Sequence, residues 1–307
     1  MNTHPHYRGR FAPSPTGPLH FGSLVAAVGS YLDARSHGGQ WLVRIEDIDT
    51  PRTIPGAADD ILRTLERLGM SWDETVMVQS TRTDAYRAAL ENLRERGVLY
   101  PCACTRREIA DSALHGIEGY VYPGTCRNGL PAGRAPRATR IRTASARIAF
   151  DDAIQGLVAQ DLEHDIGDFV VWRADGLFAY QLAVVVDDAA QGITDIVRGA
   201  DLLDSTPRQI YLQQMLGLPT PRYAHLPVAV NDQGEKLSKQ TLARALDTQQ
   251  PAREVTAALR FLGQALPDDV LKTAVENPTN LSAIWDWAIA HWDRARVAAQ
   301  RARRAAD

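Results

Sequence analysis

The sequence predicts an α/β protein built on a doubly wound parallel sheet, and three observations lead to this fold class. Residues 41–45 form an apolar strand candidate that ends in an acidic run. Segments 60–68 and 85–96 each place their leucines on one helical face, and a glycine directly follows each segment. Strands that alternate with amphipathic helices are typical of parallel sheets covered by helices.

The same pattern resumes after residue 165. The apolar run 179–186 predicts a buried strand, and 224–230 predicts another. A threonine-proline pair opens a helix predicted over 206–217, which ends at a glycine. From about residue 242 the pattern is helical. The second half of the chain therefore continues the sheet and then ends in a few helices.

Between residues 101 and 147 the periodicity fails, which predicts an insertion in the main domain. The insertion carries all three cysteines, and six arginines without an acidic residue occur over 127–147. We expect four parts: the first half of the main domain at 1–100, the insertion at 101–164, the second half at 165–241, and a helical region at 242–307.

Composition indicates an ordinary globular protein, with 45% hydrophobic and 23% charged residues among 307. An odd number of cysteines argues against a disulfide framework and for a reducing compartment. The N-terminus lacks the apolar core of a signal peptide, and the apolar run 182–186 is far shorter than the ~20 residues that span a bilayer. We expect a cytoplasmic protein without membrane contact. A net charge of −3 gives no global positive field, although local patches can still bind phosphates.

The segment RFAPSPTGPLHFGS, at residues 10–23, leads straight into a helix predicted over 24–35. A loop rich in proline and glycine before a helix presents backbone N–H groups and the positive end of the helix dipole to an anion. Gly22 allows a phosphate to approach closely, and His20 supplies a donor. Alone, the segment is as typical of a stiff turn without a ligand.

A second basic loop begins at Gly234 and carries Lys236, Ser238 and Lys239. Two lysines around a serine can neutralise charge that develops on a transferring phosphoryl group. Alone, this string is more typical of a solvated surface loop.

The pair of loops, in this order, resembles the HIGH and KMSKS signatures of class I aminoacyl-tRNA synthetases. Residues 20–23 read HFGS and residues 236–240 read KLSKQ; the departures at Ser23 and Gln240 remove no charge. Similarity to the glutamyl/glutaminyl branch extends over residues 8–245 and includes LVRIEDIDTPR, VVVDDAAQGITDIVRGADLLDSTPRQIYLQ and HLPVAVNDQGEKLSKQ. The resemblance implies a Rossmann-like catalytic domain that joins L-glutamate to ATP as glutamyl-adenylate, with Mg²⁺ accompanying ATP.

The resemblance also implies residue roles. ATP is expected at His20, Gly22 and Lys239, and catalysis at His20, Lys236 and Lys239. Glutamate carries two carboxylates and one ammonium, so its site needs two cations and one anion. The positions that match the family's glutamate site are Arg10, Phe11, Ala12, Pro13, Ser14, Glu46, Tyr180 and Arg198. Which arginine takes which carboxylate stays open here.

The cysteines predict a zinc site in the insertion. Its three thiols are those of Cys102, Cys104 and Cys126. Thiolates favour Zn²⁺ in a closed tetrahedral site, for which a fourth ligand is needed. General zinc chemistry suggests His115. The family pattern, C-x-C followed by Y-x3-C, implies Tyr122, with Tyr120, His115 or water as alternatives. We expect one structural zinc ion; three unlinked buried thiols are the alternative.

Two arginine-rich segments leave two interpretations open. In the family the insertion contacts RNA near the active site, and the arginines of 127–147 suit phosphates. A solvated positive face is the alternative. The tail at 294–304 is interpreted as a solvated helix end.

Only 67 residues follow Gln240 in the 307-residue chain, so no anticodon-binding domain is expected. HFGSLVAAVGSYLDAR, VRIEDID, the Cys/Tyr/Cys spacing and KLSKQ resemble a shorter subgroup, the glutamyl-Q tRNA(Asp) synthetases. This resemblance implies a ligase that transfers glutamate to the queuosine base at the wobble position of tRNA(Asp). We expect a monomer.

Two other functions compete with this interpretation. A short glutamyl-tRNA synthetase would charge the tRNA 3′ end, but the missing anticodon module argues against it. A catalytically silent zinc- and RNA-binding paralogue would not need the whole set of ATP and glutamate residues.

The lysine assignment predicts that Lys239→Ala lowers adenylate formation by roughly 10²-fold, the scale of losing one preorganised electrostatic contact. Glutamate-dependent pyrophosphate exchange measures this rate. An unchanged rate in the variant would contradict the assignment.

Overall fold

The computed structural model describes residues 6–112, 115–117, 119–237, 245–276 and 279–305. The first half of the sheet consists of three parallel strands in the order β1-β2-β3. Its elements are β1 (Arg8–Phe11), α1 (Phe21–Ser36), β2 (Gln40–Ile45), α2 (Ala57–Arg67), β3 (Met77–Val78) and α3 (Thr83–Glu95). The strand and the helices predicted in this half are confirmed, with ends shifted by a few residues.

The interrupted middle of the chain forms a small antiparallel sheet of order β10-β7-β4 and a hairpin of β8 and β9. Its elements are β4 (Leu99–Cys102), α4 (Arg106–Ser112), β5 (His115–Gly116), β6 (Gly119–Tyr120), β7 (Ala138–Ile141), β8 (Arg147–Asp152), β9 (Gly156–Asp161), α5 (Leu162–Asp165) and β10 (Val170–Trp172). Strand β8 returns to the main sheet, because Asp152 pairs with Tyr223 of a later strand.

The second half supplies parallel strands β11 and β12 and the remaining helices. Its elements are α6 (Tyr180–Ala190), β11 (Asp195–Gly199), α7 (Thr206–Leu216), β12 (Arg222–Leu226), β13 (Val228–Val230), α8 (Pro251–Phe261), α9 (Asp268–Glu276), α10 (Ser282–His291) and β14 (Ala302–Arg304). The N–H of Thr194, directly before β11, donates to the Arg8 carbonyl of β1 at 3.0 Å. Strand β11 therefore lies beside β1, and the strands of the two halves meet there.

The strand predicted at 179–186 is wrong, because this segment belongs to helix α6. Its residues Leu182–Val185 are all buried between α3 and α7. A helix that is apolar on nearly every face has no 3.6-residue pattern to distinguish it from a buried strand. The strand predicted at 224–230 is divided into β12 and β13 at Pro227, which has no backbone N–H to donate.

The C-terminal tail begins with a 3-10 turn at Arg294–Arg296 and ends in a strand, and it is not the end of a longer helix. Residues 302–304 form β14, which pairs in parallel with β13. Arg294 reaches back to Asp33 of α1 at 2.7 Å, and Arg301 pairs with Asp204 at 2.6 Å. The interpretation of a solvated helix end is therefore wrong. No described helix is both long and apolar enough to cross a bilayer.

Asp33 predicts a strong dependence of stability on this docked tail. Its carboxylate is buried and accepts hydrogen bonds from Tyr7, Trp292 and Arg294. Asp33→Ala removes the partner of a half-buried cation, of one buried donor and of one partly buried donor, which costs about 3 kcal/mol of unfolding free energy. Urea unfolding measures the loss. Glu91→Ala, which breaks an exposed pair with Arg94, is the control and should cost less than about 1 kcal/mol. Equal losses in the two variants would contradict the prediction.

Candidate active site

The two basic signatures meet at the N-terminus of α1. His20 is the N-cap residue, and its Nδ1 accepts the N–H of Ser23 at 3.4 Å. A Cβ on Gly22 would lie 3.1 Å from the carbonyl oxygen of Leu237, so the second loop passes against this glycine. The absence of a side chain at Gly22 therefore allows the two loops to approach each other.

The far end of the second loop returns to the same place. Ala245 forms a β-bridge with His20, and the N–H of Leu246 donates to the Leu19 carbonyl at 3.2 Å. Segments more than two hundred residues apart in sequence thus enclose the N-terminus of α1.

Lys236 lies at the start of this loop, where it forms a β-bridge with Val230. Its Nζ lies 2.6 Å from Oδ2 of Asp201, and its side chain is half exposed. Ser238, Lys239 and Gln240 lie outside the described residues, so the role of Lys239 stays a prediction.

The residues expected to bind glutamate gather at the carboxyl edge of the sheet. Arg10 lies in β1, Arg198 lies in β11, and Glu46 directly follows β2. Tyr180 opens α6, and burial together with the charge of Glu46 raises the pKa of its hydroxyl, whereas Arg198 and Arg10 lower it. Glu46, Arg198 and Arg10 therefore lie close enough to Tyr180 for their charges to act on its hydroxyl. Phe11 closes β1, and the segment Ala12–Ser14 continues from it, with the Pro13 carbonyl accepting the Glu46 N–H at 2.9 Å.

Arg10 is held by a buried carboxylate that the sequence analysis did not identify. Its guanidinium donates to Asp188 of α6 at 2.9 and 3.3 Å. Asp188 also accepts from the fully buried Arg44 of β2 at 2.8 Å. Burial acts to raise the pKa of Asp188, but the two guanidiniums outweigh it and lower that pKa. A charged residue inside an apolar run was the available signal for both Asp188 and Arg44.

Glu46 is the anion available for a ligand ammonium. Its carboxylate is buried and accepts from Arg44 at 3.2 Å. Burial raises the pKa of Glu46 above its usual value, against the lowering fields of Arg44 and Arg10. A cationic ligand group would therefore meet a carboxylate that gains from another positive partner.

Arg198 has a different environment. Its Nε donates to His225 Nε2 at 3.1 Å, and its Nη2 donates to Thr206 at 2.9 Å and to Gln209 at 2.8 Å. These partners are uncharged. Its Nη1 is buried and has no hydrogen-bond partner within the described part of the chain. A buried unpaired donor is costly, so this atom is suited to receive an acceptor from a ligand.

His225 connects Arg198 to Asp152 of β8. The ring is fully buried, and its Nδ1 lies 2.6 Å from Asp152 Oδ2. Burial, helped by the neighbouring charge of Arg198, lowers the pKa of His225 to about 4 despite the carboxylate. The ring is therefore neutral at physiological pH.

The three thiols of the insertion lie together. All three sulfurs are within 4.8 Å of one another, and Cys104 and Cys126 are 3.6 Å apart. The Tyr122 hydroxyl lies 3.4 Å from Cys102 Sγ and 3.7 Å from Cys104 Sγ. A tetrahedral zinc site with Zn–S bonds of about 2.3 Å separates its ligand atoms by roughly 3.6–3.8 Å. The four groups fit such a site.

The surroundings of the cluster tune its thiols. Arg140 donates to Cys102 Sγ at 3.3 Å and stacks on the Tyr122 ring at 3.7 Å. Burial acts to raise the pKa of Cys102, yet its hydrogen bonds with Tyr122 and Arg140 lower that pKa overall. Burial raises the pKa of Cys104 to about 11. Of the alternative ligands, Tyr120 is half exposed, and the side chain of His115 lies outside the described part of the structure.

The arginine-rich stretch 127–147 is paired with acids from other segments. Arg127 contacts Asp168 and Glu163, and Arg147 contacts Asp161. The remaining pairs and contacts involve Arg134 with Glu108, Arg140 with the Asp168 carbonyl, and Arg142 with the Arg127 carbonyl. Most of these arginines therefore have partners within the protein, although the side chains of Arg134 and Arg147 stay exposed.

Comparison with known proteins identifies the family. Residues 6–262 match the catalytic domain of the class I tRNA synthetases of the E and Q type. The chain belongs to this family. It is 64% identical over 93% of its length to the glutamyl-Q tRNA(Asp) synthetase of Dechloromonas aromatica (strain RCB), of which it covers 94%. It is 62% identical over 96% of its length to the protein of that name from Aromatoleum aromaticum, of which it covers 92%.

A solved structure supports the same placement. The chain is similar to the glutamate-tRNA synthetase of Elizabethkingia anophelis, with a TM-score of 0.77 and 26% identity. The similarity covers 97% of this chain and 68% of the other. The predicted class I synthetase fold and the glutamyl branch are confirmed.

The neutral state of His225 predicts a pH dependence of stability. The unfolded chain binds a proton at a histidine near its ordinary pKa of ~6.5, whereas the native ring binds it only near pH 4. This contribution to stability is complete above about pH 6.5 and is lost as the pH falls toward 4. In urea unfolding, the contribution of His225 should lower the free energy of unfolding by about 2 kcal/mol between about pH 7 and pH 5.

His225→Gln is the control, because it removes the titrating ring and leaves every other histidine in place. Its unfolding free energy should fall by about 2 kcal/mol less over that interval. Parallel pH profiles for the two proteins would contradict the prediction.

Proposed function

We propose that this chain is an ATP-dependent ligase that activates L-glutamate and transfers it to the queuosine base of tRNA(Asp). The observation that supports this most is identity of 62–64% over nearly the whole chain to proteins named glutamyl-Q tRNA(Asp) synthetase. The arrangement of Arg10, Glu46, Tyr180 and Arg198 supports glutamate as the amino acid. The chain spans more than nine-tenths of each of these relatives.

Glutamate binding follows from the charges at the edge of the sheet. Arg10 and Arg198 supply two guanidiniums for the two carboxylates, and the bidentate geometry of arginine suits both. Arg198 Nη1 has no hydrogen-bond partner among the described residues, so a ligand carboxylate would supply its acceptor. Glu46 accepts the ammonium, and Tyr180 adds a hydroxyl. The loop Phe11–Ser14 lies beside these groups as the continuation of β1.

In the first step the glutamate α-carboxylate attacks the α-phosphorus of ATP. A new P–O bond forms, the bond to the β-phosphate oxygen breaks, and pyrophosphate leaves with that electron pair. No protein nucleophile is needed, because the chain positions two anions and offsets their repulsion. His20 and Gly22 contact the phosphates at the start of α1, and Lys236 and Lys239 stabilise the leaving pyrophosphate. Mg²⁺ enters with ATP as part of the substrate.

In the second step a hydroxyl of the queuosine cyclopentene ring attacks the carbonyl carbon of glutamyl-adenylate. An ester forms, AMP leaves, and the hydroxyl proton passes to solvent. The names of the relatives support this acceptor. A conventional glutamyl-tRNA synthetase would use the tRNA 3′ end instead, and the solved relative from Elizabethkingia anophelis supports that alternative at much lower identity.

Labelled glutamate, ATP and Mg²⁺ with two pools of tRNA test the acceptor. One pool comes from cells that make queuosine, and the other comes from cells unable to make it. We expect label only in the first pool, in tRNA(Asp). Equal label in both pools, located in tRNA(Glu), would contradict the proposal and support the conventional reaction.

We also propose that Cys102, Cys104, Cys126 and Tyr122 hold one structural Zn²⁺. The interatomic distances and the soft donor set support this metal. A bound zinc ion would add folding free energy to the small sheet of β4, β7 and β10. The division into domains and the cytoplasmic location stay part of this proposal.

Metal analysis tests the zinc site. Protein purified without chelator should contain about one zinc ion per chain, and Cys126→Ser should lose it and melt at a lower temperature. Tyr120→Phe is the matched control, because it changes a half-exposed tyrosine outside the cluster and should keep the metal. The absence of zinc from the unmodified protein would overturn the assignment.

A further inference from the structure

We propose that His225, held by Asp152, is a positioning residue that orients Arg198 and keeps its charge available for the glutamate ligand. The inference rests on the proposed function in one respect, the binding of glutamate by Arg198. It adds a role for two residues of which neither contacts the substrate.

The hydrogen bonds determine the tautomer of the ring. Arg198 Nε can only donate, so His225 Nε2, 3.1 Å away, must accept and carries no proton. The ring proton is therefore on Nδ1, where it is donated to Asp152 Oδ2 at 2.6 Å. A ring with a proton on Nε2 would set one N–H against another.

Asp152 is itself fixed by the backbone. Its Oδ1 accepts the N–H groups of His225 at 3.0 Å, of Ile154 at 3.0 Å and of Gln155 at 2.9 Å. These bonds define the direction of Oδ2, which then defines the tautomer and plane of the imidazole. A relay of three side chains thus runs from β8 through β12 to β11.

The choice of a neutral histidine has an electrostatic consequence. A carboxylate placed directly against Arg198 would compete with a ligand carboxylate for its guanidinium; Asp188 lies against Arg10 in this way but is shared with Arg44. Through His225, the charge of Asp152 is kept one ring away from the guanidinium, and the other partners, Thr206 and Gln209, are uncharged. The charge of Arg198 therefore stays available to an anion. Its Nη1, which has no partner in the part of the chain that the structure describes, is the donor that such an anion would meet.

The charges around the ring agree with its neutral state. Asp152 on β8, Arg198 on β11 and Asp201 after β11 are the charged groups whose fields reach it. The two carboxylates favour a proton on the ring, whereas burial and Arg198 oppose it and prevail, which lowers the pKa of His225.

Two amide substitutions separate the halves of the relay. The amide of glutamine reaches about as far as Nε2, so His225→Gln can still accept from Arg198. The amide of asparagine reaches about as far as Nδ1, so His225→Asn keeps the donor to Asp152 and leaves Arg198 Nε unpaired. The two variants are matched in polarity and charge.

Glutamate-dependent pyrophosphate exchange, with total tRNA present, provides the readout. We expect His225→Asn to raise the KM for glutamate about tenfold, the effect of one unsatisfied donor on a binding group. The KM for ATP should not change, and His225→Gln should stay within about threefold of the unmodified protein. Unchanged glutamate KM in His225→Asn, or an equal rise in the KM for ATP, would overturn the proposal.

The tautomer can be tested without any variant. Nitrogen NMR of histidine-labelled protein should show one buried ring with an unprotonated Nε2 and a protonated Nδ1 that does not titrate near pH ~6.5. The opposite tautomer would overturn the proposal even if the variants fail to fold. If the unmodified protein shows no glutamate-dependent exchange while this tautomer is present, then the proposed function fails and the relay geometry stands.

Discussion

Buried charges at the carboxyl edge of the sheet must be paired, and this requirement organises the molecule. Asp188 of α6 joins Arg10 of β1 to Arg44 of β2, so one carboxylate connects a helix to two strands. An ion buried without such partners costs several kcal/mol, which makes the position of α6 part of the site rather than only its cover. Arg198 is held differently, because its hydrogen-bond partners are neutral. Its Nη1 has no partner among the described residues. Before a ligand binds, the guanidinium of Arg198 therefore has no anionic partner among the described residues.

The insertion also depends on polar contacts, because its hydrophobic core is small. Its core is small and consists of Tyr100, Ala103, Tyr122 and the buried thiols Cys102 and Cys126. Buried side chains in so small a cluster supply little hydrophobic stabilisation, so polar contacts must add to it. The arginines of 127–147 do so by pairing with acids elsewhere in the chain. Much of this arginine-rich run therefore forms contacts within the subdomain, although Arg134 and Arg147 stay exposed.

The parts that sequence predicted best are those with local signals. The glycine-terminated helices α2 and α3 and the strand β2 follow from periodicity alone. The loop before α1 is identified by its prolines, glycines and His20, all within one short segment. Helix α6 was missed because burial on nearly every face erases the periodicity that distinguishes a helix from a strand. Asp188 and His225 received no role because their partners are far away in sequence. The pairing of Arg44 with Asp188 is equally distant, although its other partner, Glu46, is two residues away.

The sequence by itself determined the family, the two ATP signatures and the residue types that glutamate requires, since each is encoded in a contiguous motif. Tertiary structure alone decided which charges meet. It put Leu237 against Gly22, Asp188 between two arginines, and Asp152 behind His225. Pairing across 73 residues or more depends on sheet order and on the register of β8 against β12, which no local pattern specifies. The motifs therefore predict which reaction the residues suit, whereas the charge and hydrogen-bond partners of each residue follow only from the fold.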